Sequence, residues 1–540
     1  MKSRRNSVLI LSVLLLVISI TAVIVVLTSC QRARVSKEAP LAMRLSISEK
    51  RASQYYEIGQ FAVGVEPSED FNTENYDRIY ENEFLDALAN PLSTFSIDVD
   101  TASYSNVRRF INESRMPPAD AVRIEELINY FDYDYPQPQD EHPFSITTEI
   151  STCPWEPKHR LVNIGLQGKK IPTENLPPSN LVFLIDVSGS MRPYNKLPLL
   201  KKAFRLLVEQ LRDQDRIAIV VYASQEGLAL PSTPGSEKQN IMETIEELGA
   251  GGTTAGAAGI QLAYKIAKEN FMKDGNNRVI LATDGDFNVG VSSDSELVRM
   301  IEEKRKDGIY LTVLGFGMGN LKDSRMEQLA DKGNGNYAYI DDILEAKKVL
   351  VNEFGGTMFT IAKDVKIQVE FNPTKVKSYR LIGYENRMLK KEDFTDDTKD
   401  AGELGSGHTV TALYEIIPAG AEGEAKADDT KYTKTEVTDE AKQTNEMLTI
   451  KFRYKPPKED VSKLITKPVV DENVEIDKTS DNFRFAAAVA EFGMLLRDSK
   501  FKGAANYDEV TEMAKKAIGQ DEQGYRSDFV KLVEKVKLIK

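Results

Sequence analysis

Apolar runs alternating with amphipathic stretches dominate the middle of the chain. Four short runs are almost wholly apolar, at residues 181–185, 217–221, 279–282 and 309–314. Such runs are typical of strands that a parallel sheet buries on both faces. The stretches between them carry apolar residues at helical spacing along one face. The pattern predicts a doubly wound, Rossmann-like α/β domain.

Alternating apolar and polar positions mark both flanks of this domain. They predict strands at residues 95–99, 144–151, 161–166, 365–371, 376–382, 409–417 and 447–454. The strands before the α/β domain and those after it are each too few for a stable sheet alone. We therefore expect the two groups to pair, so that the α/β domain is inserted in a β-sandwich-like body. Helical spacing predicts N- and C-terminal helices near residues 107–111, 121–131, 481–496 and 525–537.

The first thirty residues combine a basic start, a long apolar run and a cysteine. Residues 2–5 include three basic side chains, residues 8–27 are mostly apolar, and Leu27-Thr28-Ser29-Cys30 resembles a bacterial lipobox. We predict a lipoprotein signal peptide over residues 1–29 and lipidation of Cys30. The alternative is an uncleaved helical anchor, because the run could span a bilayer core of about 30 Å. Both interpretations, the lipoprotein signal peptide and the uncleaved anchor, place the chain in the bacterial cell envelope, on the periplasmic or extracellular side.

These patterns divide the chain into five segments. They are a signal peptide at 1–29, a tether at 30–85, an N-terminal α+β segment at 86–175, the α/β domain at 176–356, and a C-terminal segment of strands and helices at 357–540. Within the last segment, the acidic residues 419–446 are predicted to form a mobile loop.

Composition narrows the class of partner. The formal net charge of −13 argues against nucleic acid, which requires a basic face. Only two cysteines are present, so lipidation of Cys30 leaves Cys153 without an intramolecular partner, and we expect Cys153 to be a small buried residue. The three histidines show no metal-ligand spacing and are expected at the surface or hydrogen bonded. They are His142, His159 and His408.

Oxygen-bearing side chains follow the strands of the predicted α/β domain. Asp186, Ser188 and Ser190 follow the first strand, and Asp284 follows the strand that begins near Val279. A glycine-rich loop containing Thr253 precedes a predicted helix. Because ligands bind at the carboxyl edge of such sheets, we expect these three loops to converge there.

The chemistry of these donors points to a hard divalent cation. No cysteine or histidine occurs between residues 178 and 355, and an all-oxygen site favours Mg²⁺, Ca²⁺ or Mn²⁺ over zinc. Serine and threonine hydroxyls are neutral ligands, so a metal held partly by them stays electrophilic. The carboxylate of a protein or cell-wall partner can then complete its coordination.

At these residues the sequence resembles the von Willebrand factor type A family. That family's metal-ion-dependent adhesion site is Asp-x-Ser-x-Ser with a distant Thr and a distant Asp, here matched by Asp186, Ser188, Ser190, Thr253 and Asp284. The choice of Thr253 over Thr254 follows the family's Gly-Thr spacing. Residues 90–109, 153–155 and 402–414 further resemble bacterial YfbK-type lipoproteins. The resemblance implies a non-enzymatic protein that binds an acidic ligand through Mg²⁺.

Other functions are compatible with the same residues. The metal could only hold the three loops together, in a protein that scaffolds an envelope complex. A hydrolase using metal-activated water would need a general base, for which Asp286 is the nearest spare carboxylate. The glycine-rich loop lacks the Lys-Ser/Thr of a phosphate-binding loop, which disfavours nucleotides.

A second cation site is a separate alternative near residue 100. Asp98, Asp100, Thr101 and Ser103 could supply its oxygens. The competing interpretation is that Asp100 or Thr101 caps the helix that follows.

Overall fold

The computed structural model contains three β-sheets with helices packed on and beside them. It describes residues 74–97, 100–223, 226–252, 256–285, 294–353, 359–399, 401–421 and 436–540. The strands are β1 (Leu85–Asp86), β2 (Leu92–Ser96), β3 (Phe144–Thr152), β4 (Arg160–Gly168), β5 (Ser179–Asp186), β6 (Arg216–Tyr222), β7 (Glu226–Pro234), β8 (Asn276–Thr283), β9 (Ile309–Phe316), β10 (Tyr337–Ile340), β11 (Thr360–Phe371), β12 (Val376–Ile382), β13 (Met388–Leu389), β14 (Gly402–Gly405), β15 (Thr409–Pro418), β16 (Glu446–Lys455) and β17 (Lys463–Val470). The α-helices are α1 (Ala102–Asn112), α2 (Ile124–Asn129), α3 (Leu197–Gln210), α4 (Lys238–Glu247), α5 (Gly256–Glu269), α6 (Asp294–Lys306), α7 (Asp323–Lys332), α8 (Ile343–Lys347), α9 (Asp439–Gln443), α10 (Asp481–Arg497), α11 (Tyr507–Lys516) and α12 (Tyr525–Ile539).

The middle of the chain forms the predicted α/β domain. Its sheet has the order β10-β9-β8-β5-β6-β7, and every pairing is parallel except that of β7 with β6. The four apolar runs of the sequence are the inner strands β5, β6, β8 and β9, as predicted. The sequence pattern missed β7 and β10, which lie at the two edges of this sheet. Strand β7 is largely exposed, so its apolar pattern is weak, whereas β10 is buried but only four residues long.

Successive residues of β5 pack into two different cores. Leu181 and Phe183 join the core formed with α3, α4 and α8, whereas Val182 and Leu184 join the core formed with α5, α6 and α7. Because side chains alternate across a strand, helices on both faces are needed to bury such a run. The domain is therefore doubly wound, which confirms the predicted fold class.

Strands from both flanks of the α/β domain form a sandwich. One sheet has the order β1-β12-β15-β4-β3, and the other has the order β13-β2-β11-β16-β17 with β14 also paired to β11. Both sheets mix strands that precede the α/β domain with strands that follow it, and their inner faces share one apolar core. The expected insertion of the α/β domain into a β-sandwich body is confirmed.

A fourth apolar core joins the terminal helices. It contains residues of α1 and α2 together with α10, α11 and α12, and it buries Cys153 and Trp155. The prediction of a small buried residue at Cys153 is confirmed, since its exposed fraction is 0%. Helix α11 and strand β17 were not predicted. Helix α9 lies within the stretch predicted as a mobile loop, of which residues 422–435 are outside the described part.

The N-terminal predictions fall mostly outside the described residues, which begin at Glu74. The signal peptide, Cys30 and most of the tether therefore remain predictions. Residues 74–85, at the end of the predicted tether, contact the folded unit: Glu74 accepts a hydrogen bond from the Gly319 amide and pairs with Arg109. Within the part of the chain that the structure describes, no helix is both long and apolar enough to cross a membrane.

The helix-capping interpretation near residue 100 is wrong. Thr101 stands at the N-cap of α1, but its side chain makes no capping hydrogen bond. Asp100 instead accepts a hydrogen bond from the Tyr337 amide, at 2.7 Å. The Ser103 amide, in the first turn of α1, donates to Glu126 Oε2 at 2.8 Å. Asp98 lies outside the described residues.

Candidate metal centre

Asp186 ends the central strand of the parallel sheet and is fully buried. Its Oδ1 accepts the Ser188 amide at 2.9 Å, and its Oδ2 accepts the hydroxyls of Tyr222 at 3.2 Å and Thr283 at 3.3 Å. Each of these groups comes from a different strand end, which fixes the carboxylate at the carboxyl edge of the sheet. The site thus lies where parallel α/β sheets bind ligands.

The two serines of the motif lie side by side. Ser188 Oγ and Ser190 Oγ are 2.9 Å apart. A short 3₁₀ turn over Gly189–Met191 follows Ser188 and brings the second hydroxyl beside the first. Two neighbouring ligands in an octahedral shell at about 2.1 Å from Mg²⁺ would be about 3 Å apart. The serine pair therefore fits adjacent positions around such a cation.

The glycine-rich loop is tied to the serine loop by backbone hydrogen bonds. The Gly251 amide donates to the Val187 carbonyl at 2.8 Å, and the Gly189 amide donates to the Gly252 carbonyl at 3.0 Å. Thr253 is the next residue along the chain, and it lies outside the described residues. Its proposed role as a ligand remains a prediction, although its neighbour Gly252 is bonded directly to the serine loop.

Asp284 pairs with a lysine that the sequence analysis missed. Lys196 Nζ lies 2.8 Å from Asp284 Oδ2 and also donates to Asn320 Oδ1 at 3.0 Å. Both charged side chains are buried, with exposed fractions of 7% and 0%. Lys196 occupies the N-cap of α3, where a cation opposes the helix dipole. A lysine at the start of a helix is therefore the feature of the sequence that could have drawn attention to Lys196.

The two carboxyl groups have opposite electrostatic environments. Burial raises the pKa of Asp186 to about 6, against the hydrogen bonds from Ser188 and Tyr222, and the nearby Asp284 raises it further. Burial alone would raise the pKa of Asp284 as well, but Lys196, Asn320 and Ser190 together lower it. Among the described residues, Lys196 pairs with Asp284 only, so the pair of buried carboxylates retains a demand for positive charge.

A second acidic cluster lies away from this site. Carboxylate oxygens of Asp100, Glu126 and Glu327 come within 4.8 Å of one another. Two guanidinium groups pair with them, since Arg123 pairs with Glu126 and Asp323, and Arg387 pairs with Asp100 and Glu327. Burial also raises the pKa of Glu327 to about 8, which favours its uncharged form. The cluster is therefore an ion-pair network joining three parts of the chain, and its geometry gives no support to a second cation site near Asp100.

The histidines stand apart from the metal-site loops. His142 Nδ1 lies 2.9 Å from the Tyr454 hydroxyl, and His159 Nδ1 lies 2.6 Å from Glu415 Oε1, so both are hydrogen bonded, as predicted. His408 differs, because burial lowers its pKa to about 4 and keeps the ring neutral.

Comparison with known proteins identifies the family. Residues 180–352 match the von Willebrand factor type A domain, residues 70–163 match a profile described as von Willebrand factor, and residues 356–539 match the C-terminal part of uncharacterized protein YfbK. The chain is 42% identical over 469 residues to uncharacterized protein YfbK of Escherichia coli K12, across 86% of this chain and 81% of that protein. The chain belongs to the YfbK family of von Willebrand factor type A domain proteins.

More distant relatives share a smaller part of this YfbK-family chain. Human inter-alpha-trypsin inhibitor heavy chain H3 is 27% identical over 166 residues, which are 29% of this chain and 18% of that protein. A solved structure titled von Willebrand factor type A from Catenulispora acidiphila covers 73% of this chain and 91% of its own, at 16% identity and a TM-score of 0.38. The type A domain suggests a role in protein interaction, and the similarity to YfbK suggests a bacterial protein.

Proposed function

We propose that this YfbK-family chain is a non-enzymatic binding protein that takes an acidic group of a partner through a divalent metal. Asp186, Ser188, Ser190, Thr253 and Asp284 would hold the metal, with Mg²⁺ as the first choice and Ca²⁺ or Mn²⁺ as alternatives. The bound cation would supply a Lewis-acidic coordination position for the carboxylate of a protein or cell-wall ligand. The observation that carries the proposal is the pair of neighbouring serine hydroxyls beside two buried carboxylates.

The existing contacts between the loops favour this role over a purely structural metal. Backbone hydrogen bonds already join the serine loop to Gly251 and Gly252. Lys196 bridges Asp284 to Asn320. Because these hydrogen bonds and the contacts of Lys196 already join the described loops, a metal is not needed to tether them and can serve ligand binding. In the scaffold alternative, partners would bind equally well without metal.

Calorimetric titration of Mg²⁺ tests the site itself. Asp186→Asn preserves the size of the side chain and removes its charge, so we expect a loss of Mg²⁺ affinity of at least tenfold while the sheet stays folded. Asp439→Asn changes an exposed carboxylate on α9 and serves as the matched control. Equal Mg²⁺ affinity in Asp186→Asn and in the control would overturn the assignment of the site.

Recovery of partners from membranes then tests the use of the site. The wild-type chain and the Asp186→Asn variant are each used as bait. Each bait is incubated with solubilised envelope, once in Mg²⁺ and once in chelator. Partners that require both Mg²⁺ and Asp186 support ligand binding through the metal. Partners recovered equally under all four conditions support the scaffold alternative.

We also propose that the chain is anchored to the outer side of a bacterial membrane through lipid on Cys30. The basic, apolar and Leu27-Thr28-Ser29-Cys30 segments support this proposal. Metabolic labelling with an alkyne fatty acid should mark the chain, and Cys30→Ala should lose the label. Cys153→Ala is the matched control, because that thiol is buried. Labelling that survives Cys30→Ala would contradict the lipid anchor.

A further inference from the structure

Arg278 is a buried cation without a carboxylate partner among the described residues. It is the third residue of β8, and 2% of its side chain is exposed. Its Nη1 donates to Thr312 Oγ1 at 2.8 Å, and its Nε is buried without a hydrogen-bond partner. The Tyr310 ring lies 5.5 Å from the guanidinium carbon. Burying a charge with so few partners is costly unless another group compensates it.

The guanidinium stays charged in spite of this environment. Burial lowers the pKa of Arg278 to about 10, while Tyr310, Glu403 and Tyr264 act in the opposite direction. The charge of Glu403 favours the charged form of Arg278, and Glu403 Oε1 accepts a hydrogen bond from Asn334 at 3.0 Å. Positive charge at Arg278 therefore persists at neutral pH, and no carboxylate of the described residues forms an ion pair with it.

Arg278 lines a polar cavity between the α/β domain and the sandwich body. The cavity has a volume of about 350 Å³, which falls within the range of about 300–1,000 Å³ that is typical of small-molecule sites. Three further cations line it, namely Lys332, Arg387 and Lys399. Two carboxylates also line it, Asp331 and Glu403. Asp331 is already engaged by Arg387 at 2.6 Å, and Lys332 lies 3.9 Å from Glu302, which is not part of the wall. Arg278 and Lys399 then stand against Glu403 alone, so the wall keeps an excess of positive charge.

We infer that this cavity binds a small polar ligand through an oxyanion, either a phosphate or a carboxylate group, with Arg278 as the anchoring residue. A guanidinium group presents paired donors that match both kinds of oxyanion. Lys399 lies on the exposed side of the wall and adds charge at the entrance. The amide side chain of Asn336 also lines the cavity and can bond an uncharged polar part of the ligand. Asn334 and Asn386 line it too, but they already donate to Glu403 and Glu327.

This site is separate from the proposed metal centre. Arg278 and Asp284 are six residues apart near opposite ends of β8, so about 20 Å of extended chain separates them. Binding of an oxyanion can therefore be measured on metal-free protein, and the result does not depend on whether the metal centre has been assigned correctly.

Calorimetry on the full-length chain with inorganic phosphate and, separately, with citrate tests the inference. Metal is first removed with a chelating resin, and the buffer contains chloride but no EDTA, because EDTA is itself a polycarboxylate. We expect saturable one-to-one binding of at least one anion, and the preferred anion tells whether the site takes a phosphate or a carboxylate group. Arg278→Met should weaken that binding at least tenfold, and Lys399→Ala should weaken it about threefold. Lys391→Ala is the matched control, since this exposed lysine is absent from the cavity wall.

A thermal-unfolding measurement guards against misfolding of the variant. The preferred anion should raise the melting temperature of the wild-type chain by about 2–4 °C, and it should not raise that of Arg278→Met. If Arg278→Met does not fold, the comparison of Lys399→Ala with Lys391→Ala decides. The inference is overturned if neither anion binds the wild-type chain, or if binding is the same in the cavity variants and in the control.

Discussion

Lys196 Nζ lies 2.8 Å from Asp284 Oδ2, across 88 residues of sequence. The ammonium group thus already neutralises one of the two carboxylates that are proposed to hold a divalent cation. A metal at this site would share Asp284 with an internal cation. The pair is expected to weaken metal binding and, without metal, to hold the Asp284 loop in place.

Lys196→Met keeps the length of the side chain and removes its charge. We expect Mg²⁺ affinity to rise about tenfold, since that corresponds to removing about 1.4 kcal/mol of repulsion. In EDTA the variant should be less stable, because breaking a buried ion pair costs about 3–5 kcal/mol. Titration calorimetry and thermal unfolding measure the two effects. Lys202→Met, an exposed change on the same helix, is the control. A fall in Mg²⁺ affinity for Lys196→Met would refute the idea that the ammonium group and the metal compete for Asp284.

Gly317→Ala tests how the backbone accommodates Lys196. Gly317 has φ of +77°, and an added Cβ would overlap the Lys196 side chain. Gly319 has φ of +90°, and an added Cβ there meets no atom within 4 Å. Both substitutions strain the backbone, but only the first displaces the lysine. Gly317→Ala should therefore lower the free energy of unfolding by about 1–3 kcal/mol more than Gly319→Ala, as measured by denaturant titration. Equal losses would argue against this packing role.

Asp100→Asn distinguishes the ion-pair network from the proposed metal centre. The amide can still accept from the Tyr337 backbone, but Arg387 loses a charged partner, so stability should fall by about 1–3 kcal/mol. The Mg²⁺ stoichiometry should match that of the wild-type chain, because the carboxylates around Asp100 already pair with Arg123 and Arg387. Calorimetry that shows one Mg²⁺ fewer in Asp100→Asn would mean that this cluster binds metal.

We expect the stability of the fold to depend on pH through the buried carboxyl group of Glu491. Burial and, to a lesser extent, Glu509 raise its pKa to about 8, against the hydrogen bond from the Asn506 amide. The folded pKa lies above the ordinary value of 4.5, so the folded state binds this proton more tightly than the unfolded state. The contribution to stability is complete below about pH 4.5 and is lost as the pH rises through about 8.

Glu491→Gln tests this dependence, because glutamine resembles the protonated acid at every pH. Near pH 9 the variant should be more stable than the wild-type chain by an amount on the order of 3 kcal/mol, and near pH 5 the two should be similar. Chemical denaturation at both pH values measures the difference. Glu512→Gln, an exposed change on α11, is the control, and a Glu491→Gln variant that is no more stable near pH 9 would contradict the raised pKa.

The sequence by itself determined the elements that depend on local pattern. Apolar runs identified β5, β6, β8 and β9, because strands buried on both faces must be apolar throughout. The spacing of Asp186, Ser188 and Ser190 indicated a site at the sheet edge, because the carboxyl end of a parallel strand leads into that edge. The insertion of the α/β domain in a β-sandwich followed from the number of predicted strands, because those on either side of the domain are too few to form a stable sheet alone.

Only the tertiary structure decided which charged groups meet. Lys196 reaches Asp284, and Arg387 reaches Asp100 across 287 residues. No local periodicity encodes such pairs, since packing of distant elements brings them together. For the same reason, the sequence of β8 gave no sign that Arg278 would be buried without a carboxylate. The apolar pattern fixes which residues are inside, but the partner of a buried charge depends on how whole domains dock.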